Sequence, residues 1–136
     1  MATALCTLSA VFNAGGRFGF AWISDKFGRY VPYVIVFALS SLLCLLNFGV
    51  GGLGVFVVSV MLINACYGGG FSALPALLAS KYGITNTSTI HSLTLSAWGI
   101  AGIASLFLKQ LPVDTLFIAC CAAYGVNLLL LFLSRR

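Results

Sequence analysis

Between Arg29 and Lys81 run 51 consecutive residues without a charged side chain. A helix crossing the hydrocarbon of a bilayer takes ~20 apolar residues, so this single stretch is long enough for two crossings. Charge is scarce everywhere else: Arg17, Asp25, Lys26, Arg29, Lys81, Lys109, Asp114, Arg135 and Arg136 complete the set, and the chain has no Glu. With 61% apolar and 7% charged residues among 136, the chain falls far below the roughly 25% charge of soluble domains. A soluble domain of this length cannot hide so much apolar surface from water. The composition therefore excludes a cytosolic globular enzyme and implies an all-α integral membrane protein. Helices are implied because the apolar runs have the length of helical crossings.

The net charge of +5 does not point to nucleic acid. Phosphate recognition needs basic residues gathered on one face. Here they are scattered at the edges of apolar runs, where membrane topology places them. Cys6, Cys44, Cys66, Cys120 and Cys121 lie inside apolar stretches with no C-x-x-C spacing. Neither a metal site nor a disulfide framework is expected, and the thiols read as small hydrophobes. No cofactor is expected either. The first apolar run is too long for a signal-peptide core, lacks a basic leader and contains Arg17, so it reads as a retained span.

Charges and Gly/Pro/Asn clusters cut the chain into five candidate membrane helices at about 3–24, 32–49, 54–79, 89–108 and 115–134. Pro32 suits a first helical turn, where its missing N–H costs nothing. Thr87 or Ser88 is the expected N-cap of the fourth helix. Placing the first loop in the cytoplasm puts Lys26, Arg29, Lys81, Arg135 and Arg136 inside and Lys109 outside, a five-to-one positive-inside bias. The expected location is a multi-pass one in a plasma or inner membrane. The same count sets residue 1 on the outer side, and an odd number of spans starting there is expected of a piece of something larger.

Arg17 constrains function most. It lies about seven residues before the first loop, or about 10 Å below it at ~1.5 Å per residue. At such depth an arginine costs ~2.5 kcal/mol or more unless it snorkels, pairs or faces a wet cavity. One reading is a snorkelling side chain. The other is an anion-binding guanidinium, whose rigid fork suits a carboxylate and stays charged at any accessible pH. Asn13, Gly15, Gly16 and Gly19 flank it and would allow close approach of a helix or a substrate. Gly15 and Gly19 form a G-x-x-x-G pair of the kind that packing alone explains. In the loop Ser24-Asp25-Lys26-Phe27-Gly28-Arg29, Asp25 can accept bonds from Arg29 while Gly28 permits the reversal. That loop is either a charged latch or a generic positive-inside anchor.

The pattern Ala21-x-x-Ser24-Asp25-Lys26-x-Gly28-Arg29 resembles the signature loop of the major facilitator superfamily, G-x-x-x-D-R-x-G-R, with Ala21 in place of its glycine and Tyr30 where a further base often follows. Tyr67-Gly68-Gly69-Gly70-Phe71-Ser72-Ala73-Leu74-Pro75 through Ala79, then Tyr82-Gly83, Ile90-His91 and Ser96-Ala97-Trp98-Gly99, is similar to the oxalate/formate antiporter and monocarboxylate-transporter-like branch. Asn13-Ala14-Gly15-Gly16-Arg17 likewise resembles the helix before the charged loop of that branch's C-terminal half. The resemblance covers most of residues 12–105. It implies a partial six-helix bundle, helices eight to twelve of a twelve-helix secondary transporter, whose missing N-terminal six-helix half would be a partner alongside the lipid bilayer. The signature loop occurs in both halves of the superfamily, so helices two to six are the other placement; the Arg135-Arg136 ending and the glycine-rich block favour the first.

By the same resemblance Arg17 matches the arginine that holds the carboxylate of a small organic anion. The helix at 89–108 has no basic residue in its core, which favours a monocarboxylate over a dianion such as oxalate. Antiport and proton coupling both stay open. Asn64 and Tyr67 lie within a turn of Gly68-Gly69-Gly70 and are candidate substrate contacts. That glycine run and Pro75 would loosen or kink the third span, or else serve close packing. His91 reads as an interfacial hydrogen-bonded residue or a coupling group, and Trp98 either lines the path or packs. Gly49-Val50-Gly51-Gly52-Leu53-Gly54 matches G-x-G-x-x-G literally, but no acid follows about 20 positions on and the flanks are membrane spans. No nucleophile–base pair or metal cluster suggests an enzyme. The alternative is a truncated, non-transporting membrane protein that assembles with other helices.

Overall fold

The computed structural model describes residues 2–49, 52–108 and 110–134, in five helices: α1 (Ala2–Phe27), α2 (Val31–Gly49), α3 (Leu53–Tyr82), α4 (Thr87–Leu108) and α5 (Val113–Leu133). Lys109, Arg135 and Arg136, and Val50 and Gly51 of the glycine-rich match, lie outside the described residues. Among the described residues four helices, α2 to α5, are long and apolar enough to cross a membrane. The chain is thus an all-α, multi-pass membrane protein. The candidate span 3–24 falls inside α1, which is 26 residues long but is not one of those four. Asn13, Arg17, Asp25, Lys26 and three glycines dilute its apolar character.

Helix ends follow local chemistry. Gly28 takes φ +107°, a conformation open to glycine, and its N–H closes the last turn of α1 on the Ser24 carbonyl at 3.2 Å. Pro32 sits in the first turn of α2, buried, where its ring fixes φ and no helical donor is lost. Two expectations change. The third helix runs on to Tyr82, so the loop before α4 is short. Thr87 and Ser88 then lie inside α4, and Thr87 Oγ1 donates to the Gly83 carbonyl at 2.7 Å instead of capping an amide. Pro75 does not interrupt α3, which continues through it over 30 residues, about 45 Å at ~1.5 Å per residue.

Two helices form the centre. Val36, Leu43 and Cys44 of α2, and Met61, Cys66, Ala73 and Leu78 of α3, are the buried apolar residues. Neither α4 nor α5 buries a residue fully. α5 lies antiparallel on α2, with Phe37 against Tyr124 at 6.5 Å and the Cys121 thiol donating to the Ser41 carbonyl at 3.2 Å. α4 packs on α3 and α1 runs beside α3. Leu5, Cys6 and Ser9 face Phe56, Val57 and Val60, Gly16 meets Ala65, and Phe20 meets Gly69. Sequence numbers rise together along this seam, so α1 is parallel to α3.

The seam is built from small residues. A Cβ on Gly16 would overlap the Ala65 backbone, one on Gly68 the Asn13 backbone, and one on Gly69 the Phe20 ring. Gly15 and Gly19 meet nothing within 4 Å, so the expected G-x-x-x-G pair is not the contact. Close approach in lipid depends on such residues because there is no hydrophobic drive between helices. Gly16→Leu is therefore expected to lower unfolding stability in detergent by about 1–3 kcal/mol through overpacking, whereas Gly15→Ala leaves it level or slightly raised. Unfolding followed by circular dichroism checks both.

Candidate functional site

Arg17 is exposed, ten residues before the end of α1, or about 15 Å at ~1.5 Å per residue. That is deeper than the loop-based count gave, because α1 continues to Phe27. Its Nε donates to Asn13 Oδ1 at 3.3 Å, one turn back toward the N-terminus. Helical side chains lean that way by geometry. A snorkelling arginine would lean the other way, toward the charged turn. Asn13 in turn donates from Nδ2 to the Asn64 carbonyl at 3.2 Å, and Ser72 Oγ donates to the Arg17 carbonyl at 3.0 Å. Arg17, Asn13 and Asn64 are thus one hydrogen-bonded cluster across the α1–α3 seam. The Asn64 side chain bonds its own helix, donating to the Val60 carbonyl at 3.0 Å, so only its backbone serves the cluster. Among the described residues no carboxylate pairs with Arg17; the ion pair present is Asp25–Arg29.

Tyr67 and Trp98 belong to a second place. They line an open cleft of about 270 Å³ between α2, α3 and α4, together with Tyr33, Phe37, Phe71 and Thr94. Phe71 bridges the two, at 4.9 Å from Tyr67 and 6.0 Å edge-on to Trp98. Tyr33 fixes the third wall by donating its hydroxyl to the Gly70 carbonyl at 3.0 Å. The residues lining the cleft do not include Arg17, Asn13 or Asn64. The two groups are nonetheless neighbours on α3. Asn64, Tyr67 and Phe71 follow one another at spacings of three and four, so the carbonyl anchoring Asn13 shares a helical stripe with the aromatic wall. Sequence reasoning passed over Tyr33, Phe71 and Ser72. Phe71 was findable, since it stands one turn after Tyr67; the reach of Tyr33 from α2 had no local signal.

The charged turn has the expected internal pairing. Arg29 Nη1 lies 2.5 Å from Asp25 Oδ1 and donates to the buried Ser24 hydroxyl at 3.3 Å. Lys26 stands over Trp22 at 4.7 Å and Phe27 at 5.5 Å. His91 lies at the first turns of α4 with Nδ1 enclosed and without a hydrogen-bond partner among the described residues, which differs from the hydrogen-bonded interfacial histidine expected. The thiols of Cys44 and Cys66 are buried as small hydrophobes, whereas Cys6 and Cys120 are exposed, so the apolar run around a cysteine did not ensure its burial.

Comparison with models of known protein families, with curated proteins and with solved structures gives no match. The fold defines a class, an all-α protein with four helices long and apolar enough to cross a membrane, and an exposed Arg17 tied to Asn13 on the flank of α1. In that turn, Asp25→Asn is expected to cost less than ~1 kcal/mol, because the pair is largely exposed. Gly28→Ala is expected to cost more, about 1–2 kcal/mol, because alanine pays for the positive φ. Paired unfolding curves in one detergent test the order.

Proposed function

We propose that this chain forms one wall of a secondary carrier for a small organic anion, of the major facilitator type, with Arg17 receiving the carboxylate. The supporting observation is the placement of Arg17, ten residues inside α1 and without an acidic partner among the described residues. Its guanidinium is drawn one turn back, away from the charged turn and toward the middle of the helix. An arginine held so costs ~2.5–3.5 kcal/mol at the centre of a spanning helix unless a cavity or an anion compensates it. Nη1 and Nη2 remain available for a carboxylate fork. α1 itself is taken as a fifth span, because it runs parallel to α3 and tracks it from Leu5 to Phe20.

The aromatic cleft on the adjoining stripe of α3 would take the apolar part of the substrate, with Tyr67, Phe71 and Trp98 as its walls. A single fixed cation at this level favours a monocarboxylate over a dicarboxylate. The facing wall would come from a second helical bundle, with the Asp25–Arg29 turn as a latch on the cytoplasmic side, and rocking of the two bundles would give alternating access. His91 is kept as a candidate coupling group. A second reading, a non-transporting protein that assembles with other helices, draws on α4 and α5, which bury no residue within the chain.

Equilibrium binding of labelled pyruvate and labelled oxalate to the purified chain in lipid nanodiscs tests the assignment. Saturable pyruvate binding is expected, weaker by about tenfold or more in Arg17→Lys, since lysine keeps the charge and loses the fork. Binding unchanged by that substitution removes Arg17 from its role. Absence of pyruvate binding in the unaltered chain favours the assembly reading.

A further inference from the structure

We infer a second site, on the flank of α1 opposite Arg17: a groove that holds the acyl chain of an anionic phospholipid whose phosphate pairs with Lys26. The groove, of about 440 Å³, runs between α1 and α3 and is lined by Val11, Gly15, Gly19 and Ile23 on one side and Leu62 and Ala65 on the other. Gly15 and Gly19 make the room. Neither has an atom within 4 Å of where a Cβ would stand, so they are not packing glycines, and their bare backbone forms the floor.

About one turn beyond Ile23, the last residue of α1 that lines the groove, stands a cation, Lys26. Gly15, Gly19, Trp22 and Lys26 follow at spacings of four, three and four, a single stripe along α1. From Gly15 to Lys26 is eleven residues, about 17 Å at ~1.5 Å per residue. That is about half of a ~30 Å hydrocarbon core, the depth of one leaflet. The Lys26 ammonium is steadied over Trp22 at 4.7 Å and Phe27 at 5.5 Å, and these two rings meet edge-on at 6.1 Å. Both rings are more than half exposed, as interfacial aromatic anchors are.

Charge complementarity selects the occupant. Asp25, the acid nearest in sequence, is taken by Arg29 at 2.5 Å, and the other acid of the chain, Asp114, begins α5 at the opposite end. Lys26 therefore presents an uncompensated charge at the level of the headgroups, above an apolar slot. A phospholipid with net negative charge matches both parts at once. A zwitterionic lipid fills the slot but brings its own cation to the phosphate. This site does not depend on whether Arg17 binds a substrate.

The chain has two tryptophans, so Trp98→Phe leaves Trp22 as the only indole, beside the site. Its fluorescence is measured in phosphatidylcholine vesicles containing either phosphatidylglycerol or phosphatidylcholine with brominated acyl chains, which quench on contact. Half-quenching is expected at about fivefold lower mole fraction of the anionic lipid, the ratio corresponding to ~1 kcal/mol per basic residue at an anionic surface. Lys26→Gln in this background is expected to bring the ratio to about one, and Lys26→Arg to keep it. Gly15→Leu with Gly19→Leu, at positions where an added Cβ has no atom within 4 Å, fills the slot and is also expected to abolish the preference. Trp22→Phe, which reports from Trp98 alone, is expected to show none. Equal quenching by both lipids in the Trp98→Phe protein, or a preference that survives Lys26→Gln, overturns the site. So does a Trp22 that neither lipid quenches, because a second copy or another helix then covers the groove.

Discussion

The close approach of α1 to α3 is the constraint on which the other features rest. Gly16 and Gly68 bring the two backbones to a separation at which a single added carbon would collide, and Gly69 makes room for the Phe20 ring. In lipid no hydrophobic force pushes helices together, so contact has to come from dispersion at short range and from hydrogen bonds between backbones and side chains. Both are present. Asn13 reaches the Asn64 carbonyl, and Ser72 reaches the Arg17 carbonyl. Each of these bonds closes only because the glycines have removed the side chains that would hold the helices apart.

That seam also sorts the polar and apolar chemistry of α1. With Gly16 turned to α3, Asn13 and Arg17 fall to one flank, while Gly15, Gly19, Trp22 and Lys26 fall to the other. The two cations of this helix thereby serve different surroundings. Arg17 is tied to the bundle by Asn13 and lies ten residues inside the helix end. Lys26 is one residue from that end and rests on exposed aromatic rings. The rings steady the lysine at the helix end without an acidic partner among the described residues. Arg17, farther from that end, is held by Asn13 instead.

Much of this fold was legible in the sequence because membrane helices are written in gross composition. The long uncharged run, the clustering of Ser24 to Arg29 and the spacing of Gly and Pro placed all five helices. What stayed hidden was orientation about each helix axis. Gly15, Gly16 and Gly19 present two overlapping small-residue patterns on different faces, and nothing local says which face meets α3. The structure chose Gly16, so the G-x-x-x-G pair became the floor of a groove. In the same way Asn64 and Tyr67, read together beside the glycine run, part company: the Asn64 carbonyl receives Asn13, while Tyr67 and Trp98 line a cleft completed by Tyr33 from α2. The end of α3 was misjudged because Lys81 reads as a loop residue, although a cation in the last turn favours a helix C-terminus.

Packing shows which helix ends lie together. The count of Lys and Arg put the first loop and Lys81 on one side of the membrane, and α1 running parallel to α3 brings the turn at residues 28–30 to the same end as Lys81. Lys81 Nζ donates to the Ser134 carbonyl at 3.5 Å, so the end of α5 joins them there. The beginning of α5, with Asp114 in its first turn, then lies at the far end, where an acid suits the positive pole of a helix. Loop charge and helix packing are different physical quantities, one set by the electrostatics of insertion and the other by contact between finished helices. Both gather the same residues at one end of the bundle, and the Arg17 guanidinium, drawn toward Asn13, points along α1 away from that basic end.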